Sequence, residues 1–146
     1  MKKKVLVGMS GGVYSSVAAY LLKKEGYEVI GATMKLWEDS NPTCNSLIAI
    51  EKAKRVAEDL NIPHHTFDFK ETFDKNIVQY FISEYLKGHT PNPCVICNRE
   101  VKFEELIKKA KEMGIDYVAT GHYARLVNPS KNKYGKYLLR KGQDKD

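Results

Sequence analysis

Short apolar runs alternate with amphipathic stretches through most of the chain, a pattern that predicts strands alternating with helices. Apolar or β-rich runs predict four strands, at 4–9, 28–35, 64–69 and 117–120. Stretches with apolar residues three or four positions apart predict four helices, at 15–24, 46–60, 72–86 and 103–113. The alternation favours an α/β domain in which a mostly parallel sheet carries helices on both faces.

The same spacing predicts which helical residues face the core. The expected inward residues are Val17, Tyr20, Leu21 and Lys24 in the first helix, Phe73, Ile77, Phe81 and Tyr85 in the third, and Phe103, Leu106, Ile107 and Ala110 in the fourth. Gly88 to Asn98 has two prolines and is predicted to be a loop. The tail has Asn128-Pro129-Ser130 between apolar patches, which predicts a C-terminal hairpin.

Glycine and hydroxyl residues occupy the first strand-to-helix junction. The segment from Gly8 to Ser16 reads G-M-S-G-G-V-Y-S-S. Glycines let the backbone approach an oxyanion, and the helix start adds unpaired N–H groups and the positive end of its dipole. Hydroxyls of Ser10, Ser15 and Ser16 are further potential donors. The loop therefore predicts an anion site, although its spacing matches neither a Walker loop nor a dinucleotide fingerprint.

Ligands of parallel sheets bind where the strands end, and three segments of this chain reach that edge. They are Ser10 to Tyr14, the residues after Met34, and Gly121 to Tyr123. We expect these three segments to meet at one site. His122 belongs to the last of them and is a candidate functional residue, whereas His64, His65 and His89 are expected to be structural or exposed.

Charge favours an anionic partner without identifying it. The 146 residues include 24 basic and 18 acidic side chains, for a net charge of +6. A nucleotide, an RNA or both would suit this balance, and so would cations spread over solvated helix faces. No apolar run approaches the length needed to span a bilayer, and the short run after the N-terminal lysines does not fit a signal peptide. We expect a soluble, cytoplasmic protein.

Two of the three cysteines form the pair Cys94-x-x-Cys97. This pair is open to three interpretations: a zinc site completed by Cys44 and a histidine, two inert structural thiols, or a catalytic or cluster-binding pair. Arg99 and Lys102 are near enough in sequence to lower a thiol pKa. Asn98 is predicted to start the next helix, which would place Cys97 near its positive end.

Several motifs together resemble those of a known family. The first loop is similar to the S-G-G-x-D-S pyrophosphatase loop of enzymes that adenylate an oxygen and release pyrophosphate. G-A-T-M-K-L-W at 31–37, T-P-N-P-C-V-I-C-N at 90–98 and T-G-H-Y-A-R at 120–125 resemble the bacterial tRNA-uridine 2-sulfurtransferases, also called 2-thiouridylases. The loop marks only the superfamily, while the segment at 90–98 is specific, and the resemblance runs through essentially the whole chain.

The resemblance implies a fold and an activity. The fold is an adenine nucleotide alpha hydrolase-like, Rossmann-like domain, with residues 1–146 as the ATP-pyrophosphatase part and the tRNA-binding and C-terminal barrel domains absent. The activity is 2-thiolation of the wobble uridine of tRNA: ATP adenylates the C2 oxygen, a cysteine persulfide supplies sulfur, and AMP leaves. The implied partners are tRNA and a persulfide donor protein, either a cysteine desulfurase or a relay, and the implied cofactors are ATP and Mg²⁺.

The resemblance also assigns residues. Cys97 takes the position of the nucleophile, and Asn92, Pro93 and Cys94 that of the contacts to the target base. The residues implied in ATP binding are Gly8, Met9, Ser10, Gly11, Gly12, Val13, Tyr14, Ser15, Met34 and Gly121. Many members have Asp at the position of Cys94, so a [4Fe–4S] cluster held by Cys94 and Cys97 is an alternative.

Position 14 departs from the family pattern, because Tyr14 stands where the family loop has an aspartate. The tyrosine removes a negative charge and adds a ring beside the expected phosphates. The chain also ends where the family continues into K-D-Q-S-Y-F-L. A catalytically impaired nucleotide-binding module and an iron–sulfur or sulfur-carrier protein therefore stay open as alternatives to the enzyme.

Overall fold

A parallel four-stranded sheet forms the centre of the protein. The computed structural model describes residues 2–37, 47–131 and 133–143. The strands are β1 (Lys4–Gly8), β2 (Glu28–Lys35), β3 (His64–Asp68) and β4 (Tyr117–Thr120), in the order β3-β2-β1-β4. All three strand pairs are parallel, as the alternation of strands and helices predicts. The predicted helix 46–60 and the loop 40–43 lie partly or wholly outside the described residues.

Four helices cover the two faces of the sheet. They are α1 (Val13–Lys24), α2 (Leu47–Asp59), α3 and α4. Three consecutive segments form α3: Lys70–Phe73, the π-helical Asp74–Val78, and Gln79–Leu86. Three more form α4: Pro93–Ile96, the π-helical Cys97–Phe103, and Glu104–Glu112. Buried residues of α1 and α2 pack on one sheet face and those of α3 and α4 on the other, so the predicted fold class is confirmed.

Alternation along β1 assigns its side chains to the two cores. Val5 and Val7 pack with Ala19 of α1 and with Ala53 and Ala57 of α2. Leu6 belongs to the opposite core, whose helical members are Ile77, Cys97, Val101, Leu106 and Ala110. The buried positions of α4 are thus four, five and four residues apart. The five-residue step follows from the wider turn of the π-helical segment.

Three predicted helix faces are wrong in whole or in part. Val17, Tyr20, Leu21 and Lys24 of α1 are exposed, because the helix lies against the sheet through the small side chains of Ser15 and Ala19. Ile77 is buried, but Phe81 and Tyr85 are exposed, since the π-helical segment shifts the phase of everything that follows it. The same change of phase leaves Phe103 and Ile107 of α4 exposed.

A two-stranded antiparallel sheet follows β4, as the tail pattern predicts. Its strands are β5 (Ala124–Val127) and β6 (Leu138–Lys141), with Arg125 opposite Arg140 and Leu126 opposite Leu139. A short 3₁₀ turn at Pro129–Lys131 lies between them. The side-chain oxygen of Asn128 accepts hydrogen bonds from the backbone N–H and the hydroxyl of Ser130, and these bonds fix the turn.

Candidate functional site

A cavity of about 260 Å³ opens where β1, β2 and β4 end. The three segments expected to meet at this edge do meet around it. Its wall is formed by Gly8, Met9, Ser10, Tyr14, Ser15, Ala32, Met34, Lys102, Thr120, Gly121 and His122. Backbone of small residues and the thioether of Met34 make up much of this surface, so the cavity suits a ligand with an apolar ring and an anionic end.

The hydroxyl of Ser15 organises the first loop from within. It donates to the carbonyl of Gly12 at 3.1 Å and accepts from the backbone N–H of Ser10 at 3.2 Å. Ser16 also donates its hydroxyl to the Gly12 carbonyl, at 2.9 Å. Ser15 is buried. This hydroxyl braces the loop against its own backbone, Ser15 also forms part of the cavity wall, and its role in ATP binding stays a prediction.

Backbone N–H groups at the start of α1 are the free donors of this loop. Within the described part of the chain, no hydrogen bond uses the N–H of Gly12, Val13 or Tyr14 as donor. Gly12 is the N-cap residue, and no side chain caps the helix there. Unpaired donors and the positive dipole end at one helix start form the electrostatic complement of a phosphate.

Two glycines permit backbone contacts that any side chain would prevent. Gly11 has φ +73°, and a Cβ there would lie 2.7 Å from the Cβ of Lys52 in α2. A Cβ on Gly121 would lie 2.6 Å from the backbone nitrogen of Ser15. Gly121 therefore seats the end of β4 directly against the start of α1, which closes the cavity on that side.

A buried polar chain holds the base of the loop. The hydroxyl of Thr33, on β2, donates to the carbonyl of Met9 at 2.8 Å and lies 2.9 Å from Nε2 of His64. Since that hydroxyl has donated its proton to Met9, the imidazole is the donor to Thr33, which makes Nε2 the protonated nitrogen. Burial, with smaller effects from Lys54 and His65, lowers the pKa of His64 and favours this neutral form.

The predicted loop at Gly88 to Asn98 is correct for residues 88–92, but the cysteine segment from Pro93 onward is helical. Helix α4 begins at Pro93, because proline at the first helical position has a suitable φ and no N–H to leave unpaired. Cys97 thus lies inside the helix instead of at its positive end, and the dipole argument for a lowered thiol pKa does not apply. Asn92 precedes the helix as its N-cap residue.

The two cysteines have different environments. Cys94 is exposed, whereas Cys97 is only 7% exposed and belongs to the core beneath the sheet. Arg99 pairs with Glu100 at 2.8 Å. Neither cysteine, nor Asn92 or Pro93, is part of the cavity wall, so the predicted base contacts and the predicted nucleotide loop are separate features here. The roles assigned to these residues stay predictions.

His122 lies in the cavity wall, as the expected meeting of Gly121 to Tyr123 with the first loop predicts, whereas Lys102 is a wall residue that the sequence did not predict. Nδ1 of His122 lies 2.8 Å from the hydroxyl of Thr120, and its ring packs on Phe103 with centroids 5.0 Å apart. Burial and the neighbouring charge of Lys102 lower the pKa of His122. The sequence signal for Lys102 was its distance of five residues from Cys97, which is one turn of the π-helical segment.

Tyr14 lies at the mouth of the cavity. Its ring meets that of Tyr123 edge to face, with centroids 5.2 Å apart. Both rings are more than half exposed. The remaining predicted loop residues, Gly11, Gly12 and Val13, do not form the wall, although Gly12 and Val13 contribute the free N–H groups at its rim.

The described residues suit phosphates better than a bare metal ion. The cavity wall has hydroxyl oxygens but no carboxylate, and carboxylates are the usual protein ligands of Mg²⁺. Within residues 2–37, 47–131 and 133–143, no three His, Cys, Asp or Glu side chains are grouped to hold a metal. Cys94 and Cys97 supply two of the four thiolates of a usual iron–sulfur cluster, and Cys44 lies outside the described residues.

None of the described helices is both long and apolar enough to cross a bilayer.

Comparison with known proteins gives a consistent family. The chain is 56% identical to the tRNA-specific 2-thiouridylase MnmA of Clostridium kluyveri over 99% of its own length and 41% of that protein. It is 53% identical to the enzyme of the same name from Clostridioides difficile, over 97% of this chain and 40% of that one. The chain therefore spans about two fifths of the length of these relatives.

A solved structure agrees with both relatives. The U34-tRNA thiolase NcsA of Methanococcus maripaludis, described with its [4Fe–4S] cluster, superimposes with a TM-score of 0.60 and 25% identity, over 83% of this chain and 38% of that chain. The family model described as the tRNA methyl transferase HUP domain matches residues 3–146. This match covers nearly the whole chain, so the chain belongs to the tRNA methyl transferase HUP domain family.

Proposed function

We propose that this chain is the ATP-binding part of a tRNA-uridine 2-sulfurtransferase. The observation that carries the proposal is the cavity at the ends of β1, β2 and β4, whose wall includes Tyr14 and Ser15 at the start of α1, where backbone N–H groups are free. Relatives named as tRNA 2-thiouridylases share more than half of its residues. The wobble uridine as the modified base, a persulfide donor protein and Mg²⁺ delivered with the nucleotide belong to this proposal.

The first step is activation of the base. The C2 oxygen of uridine attacks the α-phosphorus of ATP, the bond from that phosphorus to the β-phosphate oxygen breaks, and pyrophosphate leaves. The unpaired N–H groups of Gly12, Val13 and Tyr14 hold the departing phosphates, and the Lys102 ammonium adds positive charge to the same cavity. The apolar side chain of Met34 packs against the adenine ring.

The second step exchanges oxygen for sulfur. The terminal sulfur of a persulfide on a donor cysteine bonds to C2, the C2–O bond breaks, and AMP leaves with the oxygen. The thiolate of Cys97 then attacks the donor cysteine's sulfur, which releases 2-thiouridine and forms a disulfide between the two cysteines. A thiol reductant restores both before the next cycle. Because Cys97 is buried, this step requires the start of α4 to move.

Calorimetry with ATP tests the nucleotide site directly. A Cβ on Gly12 would have only the Ser10 hydroxyl within 4 Å, at 3.5 Å, so Gly12→Trp is expected to fill the space above the N–H groups without disturbing the core. We expect ATP binding to be lost. Leu86→Trp, at the exposed end of α3, is the matched control and should bind ATP as the parent does. Unchanged ATP affinity in Gly12→Trp would rule out this site.

A nucleotide-binding module without turnover is the second candidate, and Tyr14 is the observation that favours it. The tyrosine in the cavity wall has a hydroxyl in place of a carboxylate, whereas an aspartate could position a metal-bound phosphate. Pyrophosphate release from ATP, with Mg²⁺ titrated, compares the parent with Tyr14→Asp. The module predicts a much larger gain in rate than in ATP affinity. Equal rates would show that position 14 has no catalytic part.

A further inference from the structure

Nearly all of the net charge of this protein lies in one short segment. Residues 122–143, which contain β5 and β6 and are called the basic hairpin below, have six Lys or Arg residues and no Asp or Glu. The preceding 121 residues have 17 basic and 16 acidic side chains and are almost neutral. A concentration of one sign of charge on one element produces a local field that the net charge alone does not reveal.

Pairing of charges also separates the hairpin from the rest of the chain. At least eight of the 17 cations that precede the hairpin are paired with carboxylates, as in Lys3–Asp116 at 2.6 Å, Arg55–Glu51 at 2.7 Å and Lys87–Glu84 at 2.7 Å. In contrast, five hairpin cations form no ion pair with any described carboxylate: Arg125, Lys131, Lys133, Arg140 and Lys141. These charges remain available to an external anion.

Two arginines occupy directly opposite positions in the hairpin. Arg125 on β5 is in register with Arg140 on β6, so both side chains leave the same face of the two-stranded sheet. Like charges directly opposite each other destabilise a strand pair. Nε of Arg125 donates to the carbonyl of Lys141 at 3.2 Å, which anchors one guanidinium close to the other strand. A phosphate between the two guanidiniums would replace this repulsion with attraction.

Tyrosines accompany the cations. Tyr123, Tyr134 and Tyr137 all belong to the basic hairpin and are each more than half exposed. Lys133 lies over the ring of Tyr134, 5.2 Å from its centroid. Tyr123 contacts Tyr14 at the mouth of the cavity, so the hairpin begins beside the candidate nucleotide site. Exposed aromatic rings among unpaired cations are typical of surfaces that bind unstacked nucleobases and their phosphates.

We infer that the basic hairpin is the surface through which this chain binds the phosphate backbone and unpaired bases of a folded RNA. The inference deepens the proposed function and rests on it for the kind of RNA. Arg125 and Arg140 contact phosphates, the exposed tyrosines stack on bases, and the contact of Tyr123 with Tyr14 connects the bound RNA to the cavity.

An anionic membrane is the other macromolecular partner to consider. Leu126 and Leu139 are opposite each other and exposed, so the hairpin also has an apolar face. The paired arginines are on the other face, however. A segment that binds at a membrane surface needs an amphipathic element with a larger area than this two-stranded sheet. Guanidinium pairs next to tyrosines favour RNA.

Salt-dependent binding of an in vitro transcribed, unmodified tRNA tests the inference. The variant is Arg125→Gln/Arg140→Gln, and the matched control is Arg55→Gln/Lys87→Gln, which removes the same charge from exposed, ion-paired positions of α2 and α3. Since each phosphate contact changes the slope of log K against log salt by about one, the hairpin variant should have a slope shallower by about two and bind roughly tenfold or more weakly at moderate salt. The control should keep the parent slope.

A second variant avoids any effect on strand pairing. Lys131→Gln/Lys133→Gln changes only the connection between β5 and β6 and should also make the slope shallower by about two. ATP affinity of every variant is measured in parallel and should equal that of the parent. If the parent chain itself does not bind ATP, the proposed nucleotide site is refuted, but the result of the RNA experiment still stands.

Three outcomes would overturn the inference. The first is an unchanged slope in both hairpin variants, which would place the RNA elsewhere. The second is an equal loss in the hairpin variants and the control, which would mean that only net charge matters. The third is tight binding to phosphatidylglycerol vesicles that excludes the tRNA, which would assign the hairpin to a membrane surface.

Discussion

The α/β body, residues 2–121, and the basic hairpin arrange their polar groups in different ways. In the body, at least eight Lys or Arg side chains pair with carboxylates, and the candidate anion site is made largely of backbone N–H groups at a helix start. In the hairpin, five of the six cations form no ion pair with a described carboxylate, and most side chains are exposed. Backbone donors in a small cavity suit one compact anion, while spread guanidinium and ammonium groups suit a polyanion.

This difference teaches that the net charge of +6 is not a property of the nucleotide site. If both regions act as proposed, salt concentration and substitutions should affect ATP binding and RNA binding differently, because each substitution removes donors from a different region. The ring contacts of Tyr123 with Tyr14 and of His122 with Phe103 join the hairpin to the body.

The largest expected effect is that of a substitution at Gly121, where the end of β4 approaches the start of α1. Gly121→Ala would place a methyl group 2.6 Å from the backbone nitrogen of Ser15, so α1 and the end of β4 must separate. We expect ATP binding to be abolished and stability to fall by about 1–3 kcal/mol, as for overpacked sites, which corresponds to a drop in Tm of about 3–12 °C. Calorimetry and thermal unfolding measure the two effects.

Gly114→Ala is the control for that substitution. Its φ is +64° and no atom lies within 4 Å of the added methyl, so it has backbone strain without a clash. It should lower stability modestly and leave ATP affinity unchanged. Parental ATP binding by Gly121→Ala would mean that the close approach of β4 to α1 does not shape the site.

The next largest effect concerns Lys102, a body cation in the cavity wall. Lys102→Gln removes one charge-assisted contact to a phosphate, worth about 1.5–3 kcal/mol, so ATP affinity should fall by roughly 10- to 150-fold. Affinity for tRNA should change far less than in Arg125→Gln/Arg140→Gln. Lys111→Gln, an exposed position on the same helix, serves as the control. Equal losses of ATP and tRNA affinity in Lys102→Gln would erase the distinction between the two regions.

Thiol labelling gives a smaller but direct test of where RNA reaches the body. In a Cys44→Ser background, exposed Cys94 should react at least about ten times faster than buried Cys97, because a buried thiol reacts only after local opening. If RNA on the hairpin extends to Asn92, Pro93 and Cys94, tRNA should slow the labelling of Cys94 and ATP should not. Protection by ATP alone would contradict the assigned base contact.

The smallest effect is the pH dependence contributed by His122. Its folded pKa is lowered, by burial first and then by Lys102, so the neutral form is favoured in the folded state. Its contribution to stability is therefore present above the unfolded pKa of about 6.5 and is lost as the pH falls below it. His122→Gln should flatten the loss of stability between pH 7 and pH 5, measured by denaturant unfolding. His65→Gln, an exposed histidine, should not.

Much of the fold could be predicted, because its strands and helices follow from short local patterns of apolar and polar residues. The apolar run of β1, the glycines after it and the helix that follows identify the strand, the loop and the edge of the sheet where a ligand binds. The predicted residues Ser10, Met34 and Gly121 reach a single cavity for the same reason, since parallel strands end on one side.

The remaining features depend on contacts and turns that the pattern does not encode. A 3.6-residue period cannot anticipate the π-helical segment Cys97–Phe103, which changes the phase of α4 and brings Lys102 to the cavity. Pro93 was counted as a loop signal, although proline is equally compatible with the first turn of a helix. The hydrogen bonds of Ser15 to Gly12 and Ser10 could not be predicted, because they form only when the folded loop brings these groups together.

The bracing of the first loop by Ser15 has a consequence for the rate and heat of binding. A loop that is already held by its own hydrogen bonds and by Gly121 loses little mobility when a ligand arrives. Association with a nucleotide should therefore proceed as a single fast phase with a small heat-capacity change, as for docking into a rigid receptor. Ser15→Ala, which removes the hydroxyl that braces the loop, should introduce a slower phase in stopped-flow binding, because the freed loop must then be ordered during each encounter.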